Sequence, residues 1–143
     1  MNHRRLAASL AVSLLSATSA MAALPDASQA RLATDYSAWA GGRGNAEALV
    51  SGLHRGTSIT FSTTRADDVS LAGFTPGAPM TYAEVAAALA RARADLMRLG
   101  VRQPTAEQIQ AALIGDEVHL SNGRTRMLRG TVAPQGGNSY AAR

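Results

Sequence analysis

Apolar side chains between Tyr82 and Leu99 recur as Tyr82, Val85, Leu89, Ala92, Leu96 and Leu99, in steps of three and four. That spacing winds one apolar stripe along a single face, so a long amphipathic α-helix is predicted here. Thr81 and Glu84 stand where the N-cap and N3 residues of a capping box belong, and Gly100 ends the run. Glu84, Arg91, Asp95 and Arg98 fall on the opposite side, which reads as a solvated polar face. Thr105, with Gln108 three residues on, opens a second helix with Ile109, Ala112 and Leu113 as its apolar face and Gly115 as its stop. The Gly100–Pro104 link is short enough to fold the two into a helical hairpin.

Upstream, Asp26 is a suitable N-cap for a short helix to Trp39, with Leu32, Tyr36 and Trp39 at helical spacing. Gly41-Gly42-Arg43-Gly44 then reads as a flexible connection. It hints at a phosphate loop, but no strand precedes it and no Gly-Lys-Ser/Thr follows. Asn45 caps a helix over Ala46–Arg55, whose apolar face is Leu49, Val50 and Leu53 and whose stop is Gly56. Thr57–Thr63 alternates with Ile59 and Phe61 on one side, and Val69–Phe74 returns with the same period after a turn at Thr64–Asp68, so a β-hairpin is predicted.

A second hairpin is expected where Glu117–Leu120 and Arg124–Leu128 flank Asn122-Gly123, a pair suited to a two-residue type I′ turn. That turn would set Val118 opposite Met127, Leu120 opposite Thr125, and His119 opposite Arg126. From Gly130 the chain is rich in Gly, Pro, Asn and Gln without periodicity, and a disordered tail is expected over 130–143. The fold class is therefore a small α+β domain at 45–129, with a helical hairpin and two short β-hairpins. A 23–44 segment carrying the short helix and the Gly-rich linker precedes it.

The first residues change the setting. His3-Arg4-Arg5 forms a short basic head, an apolar run covers Leu6–Leu15, and Ala20-Met21-Ala22 is a small-x-small site. This is the order of a secretory signal peptide over residues 1–22, cleaved after Ala22, and it predicts a periplasmic or secreted protein. No later stretch is long and apolar enough for a transmembrane helix. The chain has no cysteine, which excludes disulfides, thiol catalysis and thiolate metal sites.

Three stretches together resemble a group of small exported proteobacterial proteins. They are Trp39-Ala40-Gly41 leading to Asn45–Leu53, then Pro79–Val85, then Pro104–Leu113. The resemblance implies an exported bacterial protein, covers most of the mature chain and carries over no functional residue.

All the basic residues are arginine. Without Arg4 and Arg5, twelve arginines face ten carboxylates, so the mature chain is only weakly basic. His54 and His119 are the only histidines after the leader, and together with Asp67 and Asp68 they read as solvated side chains, not as a zinc site. No Gly-x-Ser-x-Gly elbow is present, every carboxylate falls at a cap, a polar stripe or a turn, and no cofactor motif appears. A helical hairpin before a basic β-hairpin imitates a winged helix-turn-helix. The supposed recognition helix carries Glu107 and no Arg or Lys, so nucleic acid is not expected. The remaining candidate surface is Arg124, Arg126 and Arg129 with His119, an anion or partner patch for an envelope protein or an anionic surface. The function expected is non-enzymatic binding in the bacterial envelope. The alternative is a small periplasmic hydrolase or accessory enzyme with a site assembled from dispersed residues.

Overall fold

The structure, a computed structural model, describes residues 26–136; the predicted signal peptide and the last seven residues lie outside them. In chain order the elements are α1 (Ala27–Tyr36), α2 (Arg43–Arg55), β1 (Ile59–Arg65), β2 (Asp68–Phe74), α3 (Tyr82–Arg98), α4 (Ala106–Ile114), β3 (Glu117–His119) and β4 (Thr125–Met127). Two separate two-stranded antiparallel sheets, β1–β2 and β3–β4, accompany the four helices, so the fold is the expected small α+β domain. No helix among the described residues is long and apolar enough to cross a membrane.

α1 starts where the Asp26 carboxylate accepts the Ser28 N–H at 2.8 Å, as the sequence suggested. It is not an appendage to the domain. Ala33, Trp39 and Ala40 are buried in the same cluster as Leu49, Val50 and Leu53 of α2. The glycine stretch is likewise no loose connection. Ala40 N–H donates to Tyr36 O and Gly42 N–H to Ser37 O, each at 2.8 Å, while Gly41 and Gly42 turn the chain with φ of +81° and +146°. Gly41 also passes so close to β1 that a Cβ there would lie 2.8 Å from the Thr63 methyl group. α2 then begins two residues before the expected cap, with Gly42 at the N-cap. Asn45 does another job: its Nδ2 donates to Ala40 O at 2.8 Å and Ser62 O at 2.6 Å, tying the α1–α2 turn to β1.

β1 and β2 pair from Ile59↔Phe74 to Arg65↔Asp68, so the turn is the two residues Ala66-Asp67 and not the five expected. Ala66 takes φ +52°, at the turn position where glycine is usually found. Ile59, Phe61, Ala72 and Phe74 face the core, as their alternation requires. Thr63 joins them because its hydroxyl has a partner. α4 docks its first turn on this hairpin: Ala106 N–H donates to Thr63 Oγ1 at 2.8 Å and Glu107 N–H to Ser70 Oγ at 3.2 Å. Thr63 and Ser70 are cross-strand neighbours, so two helix donors that would otherwise be orphaned are met by one rung of the sheet. Gln108 N–H completes the turn on Thr105 Oγ1 at 3.3 Å.

α3 carries the predicted seam, with Val85, Leu89, Ala92 and Leu96 buried. Its polar side departs from expectation at Asp95, which is only 7% exposed. Asp95 Oδ2 faces Arg91 Nε at 3.9 Å and Oδ1 meets Arg98, so the buried charge is paired on both sides by i,i+4 and i,i+3 neighbours. The capping box at the start of α3 is complete: Thr81 N–H donates to Glu84 Oε2 at 2.7 Å, and Glu84 N–H to Thr81 Oγ1 at 3.2 Å. The Thr81 backbone N–H and then its hydroxyl hold the Glu84 carboxyl below its ordinary pKa, with desolvation opposing slightly. A carboxyl whose folded pKa is depressed contributes stability above its unfolded value, and that contribution is lost as pH falls through the folded value. Glu84→Ala should therefore lower the thermal midpoint near neutrality. Its gap from wild type should begin to narrow as pH falls below the unfolded glutamate value of about 4.3 and vanish only below the lower folded value. A gap that is constant from pH 3 to 7 would contradict the assignment.

The second hairpin forms with a shifted register. Glu117 pairs with Met127, Val118 with Arg126 and His119 with Thr125. The loop holds three residues, Ser121-Asn122-Gly123, closed by Gly123 N–H to Leu120 O at 2.9 Å. Only Gly123 has positive φ, +76°, so the turn is of type I with glycine in the left-handed position, not type I′. The segment after it is not a loose tail as far as Gly136. Thr131 and Val132 N–H both donate to Leu113 O, Gln135 N–H donates to Thr75 O, and Val132 is buried.

Candidate functional site

The one-residue register shift takes apart the basic patch read from the sequence. Directly paired residues share a face, so Arg126 lies on the side of Val118 while His119 lies on the side of Thr125. Arg124, Arg126 and Arg129 are exposed, but His119 does not join them. It lines a shallow cavity of about 210 Å³ together with Glu107 and Glu117, a more acidic setting than the one expected.

His54 is also placed differently from a solvated histidine. It is half-buried, with its ring stacked on Tyr82 at a centroid distance of 3.9 Å and 11° between planes. Its Nδ1 lies 2.8 Å from Met80 O. A carbonyl only accepts, which assigns the proton to Nδ1. Met80 N–H in turn donates to Leu53 O at 3.1 Å, so this pair fastens the end of α2 to the link before α3. His54 thus has a structural task. Among the described residues no group of three or more His, Asp or Glu side chains is placed to hold a metal ion.

The concave feature with chemistry in it lies around Trp39. Two cavities, of about 240 and 380 Å³, adjoin at Ala38, Trp39 and Gln103, which line both, and these are the two lobes around Trp39. The smaller lobe is closed by Gly41, the Thr63–Arg65 end of β1, and Pro104-Thr105. The larger adds Arg93 and Met97 of α3 with Arg102 beyond its end. Trp39 is 5% exposed and meets Tyr36 edge-on at 5.8 Å and 75°. Its indole Nε1 is buried without a hydrogen-bond partner, a costly arrangement of a kind that native structures seldom keep.

The lining of this groove is basic. Arg31, Arg43, Arg91 and Arg98 all pair with carboxylates. Among the described residues Arg65, Arg93 and Arg102 make no ion pair, although Asp68 stands opposite Arg65 in the sheet register; Arg55, Arg124, Arg126 and Arg129 are likewise unpaired but line neither lobe. Neither lobe has an Asp or Glu in its lining. The field reaches the tyrosine behind Trp39: burial raises the Tyr36 pKa, with Arg93 pulling it down and Asp35 pushing it up. Three unmatched guanidinium groups around an aromatic floor can take an anion by forked, charge-assisted hydrogen bonds.

No family model, curated protein or solved structure matches this chain. The groove leaves no mark in sequence spacing, because its parts come from the α1–α2 turn, the end of β1, the outer side of α3 and the α3–α4 link. One signal was available in the chain itself: Trp39 is the only tryptophan, and Arg93 and Met97 sit four apart on the polar side of α3.

Proposed function

We propose that this chain is an exported binding module of the bacterial envelope, without catalytic activity of its own, and that it takes an anionic partner in the groove around Trp39. One observation carries the reading: the two adjoining lobes have three arginines in their lining, no carboxylate, and no ion pair to any of the three among the described residues. Export rests on the basic head, the apolar run and the Ala20-Met21-Ala22 site, together with the resemblance to exported proteobacterial proteins. Cationic sites of this kind draw anions in from solution and lose affinity as salt screens them.

Retention on immobilised heparin, a general polyanion, tests the location. A triple alanine substitution at Arg65, Arg93 and Arg102 should elute at clearly lower salt than wild type. The same substitution at Arg124, Arg126 and Arg129 should leave elution nearly unchanged. All six side chains are exposed, so neither variant should lose more than about 1 kcal/mol of stability. The larger loss falling on the hairpin variant would move the site to β4. Turnover of any substrate in a hydrolase panel, abolished by a single substitution in the chain, would overturn the non-catalytic part.

A further inference from the structure

The groove mixes its charges with apolar surface, and this bears on what kind of anion it takes. Arg93 and Met97 are i,i+4 neighbours on α3, so a guanidinium and an exposed thioether stand side by side. Met97 is 52% exposed although nothing polar recommends it there. The buried Trp39 and the exposed Arg102 line the same lobe. Arg65 stands in the second lobe, beyond Gln103. A phosphate or sulfate polymer is best held by cations alone, whereas this lining mixes arginines with Met97 and Trp39. Tryptophan, methionine and arginine together are what protein-binding surfaces favour, and a methionine adapts its shape to the side chain it meets.

We propose that the occupant of this groove is an acidic peptide segment of a partner protein, bearing a large apolar side chain next to a carboxylate. The carboxylate pairs with Arg93 and Arg102 in the larger lobe, and the apolar neighbour lies on Met97 and Trp39. A second acidic residue reaches Arg65 past Gln103, whose amide is free to bond the peptide backbone. This rests on the groove being the binding site, and the test separates the two claims.

Because Trp39 is the only tryptophan, its emission reports on this groove alone. The purified protein is titrated with a short blocked peptide alternating glutamate and leucine. Parallel titrations use a glutamate-only peptide, a glutamine–leucine peptide and heparin. The expected result is a saturable change in Trp39 emission with the mixed peptide, weakened by salt. The glutamate-only and glutamine–leucine peptides should bind at least about tenfold more weakly, because each lacks half of the recognition. The Arg93→Ala/Arg102→Ala double variant should weaken the mixed peptide by about tenfold or more, since forked pairs in a partly desolvated groove carry much of such binding. Circular dichroism of the variant checks that its fold is intact, and Arg55→Ala serves as a surface control. Heparin or the glutamate-only peptide binding as tightly as the mixed peptide, with loss in the double variant, would overturn the peptide assignment and keep the groove. No emission change with any probe would overturn both.

Discussion

Replacing Leu89 by alanine should cost the protein about 2–5 kcal/mol, the usual loss when a buried leucine leaves a cavity that its neighbours only partly fill. Leu89 is 0% exposed at the middle of α3, in the same core as Ile109 and Leu113 of α4, which are equally closed to solvent. A domain of this size has only about 5–15 kcal/mol to lose, so the melting curve should shift by many degrees. Arg91→Ala, two residues away in sequence, removes one of the two arginines beside Asp95 and leaves the other. Its side chain is 61% exposed, so the loss should stay within about 1 kcal/mol. Similar melts for the two variants would mean that the buried face of α3 is wrongly assigned.

Gly130→Ala should be comparably damaging, for a different reason. A Cβ at residue 130 would overlap the carbonyl carbon of Ile114 and the nitrogen of Gly115. Both are backbone atoms at the end of α4, so no side-chain rotation relieves the clash. The chain would have to lift away, breaking the bonds from Thr131 and Val132 N–H to Leu113 O and uncovering the buried Val132. A loss of about 3 kcal/mol is expected, at the upper end for overpacking. Gly44 gives the matching control. It lies in the first turn of α2, where a Cβ meets nothing within 4 Å, so Gly44→Ala should be neutral or raise stability by up to about 1 kcal/mol. A mild Gly130→Ala would show that residues 130–136 are not part of the packed body.

The features legible in the sequence were those decided within a few residues. The two capping boxes, the α3 seam, the Gly56 and Gly115 stops and the alternation of Ile59 and Phe61 all depend on local spacing, and the structure has each of them. Where a residue type serves two local geometries, spacing alone does not decide between them. Gly123 satisfies a type I′ turn and equally a three-residue loop with one left-handed glycine. Choosing between them moved every side chain of β4 to the other face, and with it the supposed union of His119 and Arg126. Asn45 had the right side chain for a cap, but its amide is taken by carbonyls of Ala40 and, seventeen residues on, Ser62. Long-range bonds of that kind leave no periodic trace.

The same limit hid the groove and the ordered end of the chain. Asp95 reads as solvent-facing until its two arginine neighbours are seen to pair with it while the domain buries it. Residues 130–136 have no apolar period, yet their backbone donors are claimed by Leu113 and Thr75. Arg65, Arg93 and Arg102 are scattered along the sequence, and only the packing of α1, β1 and α3 brings them to the lobes beside Trp39.

The most direct test of the Trp39 groove as the binding site is a two-dimensional ¹H–¹⁵N NMR titration with a short acidic peptide at low salt. The Trp39 indole N–H gives a single, unambiguous peak, since the chain has one tryptophan. The account predicts that this peak shifts saturably, along the same binding curve as the backbone signal of Gln103 and the arginine side-chain signals of Arg93 and Arg102. Shifts confined to Arg124–Arg129, or spread evenly over the surface while the indole peak stays still, would contradict it.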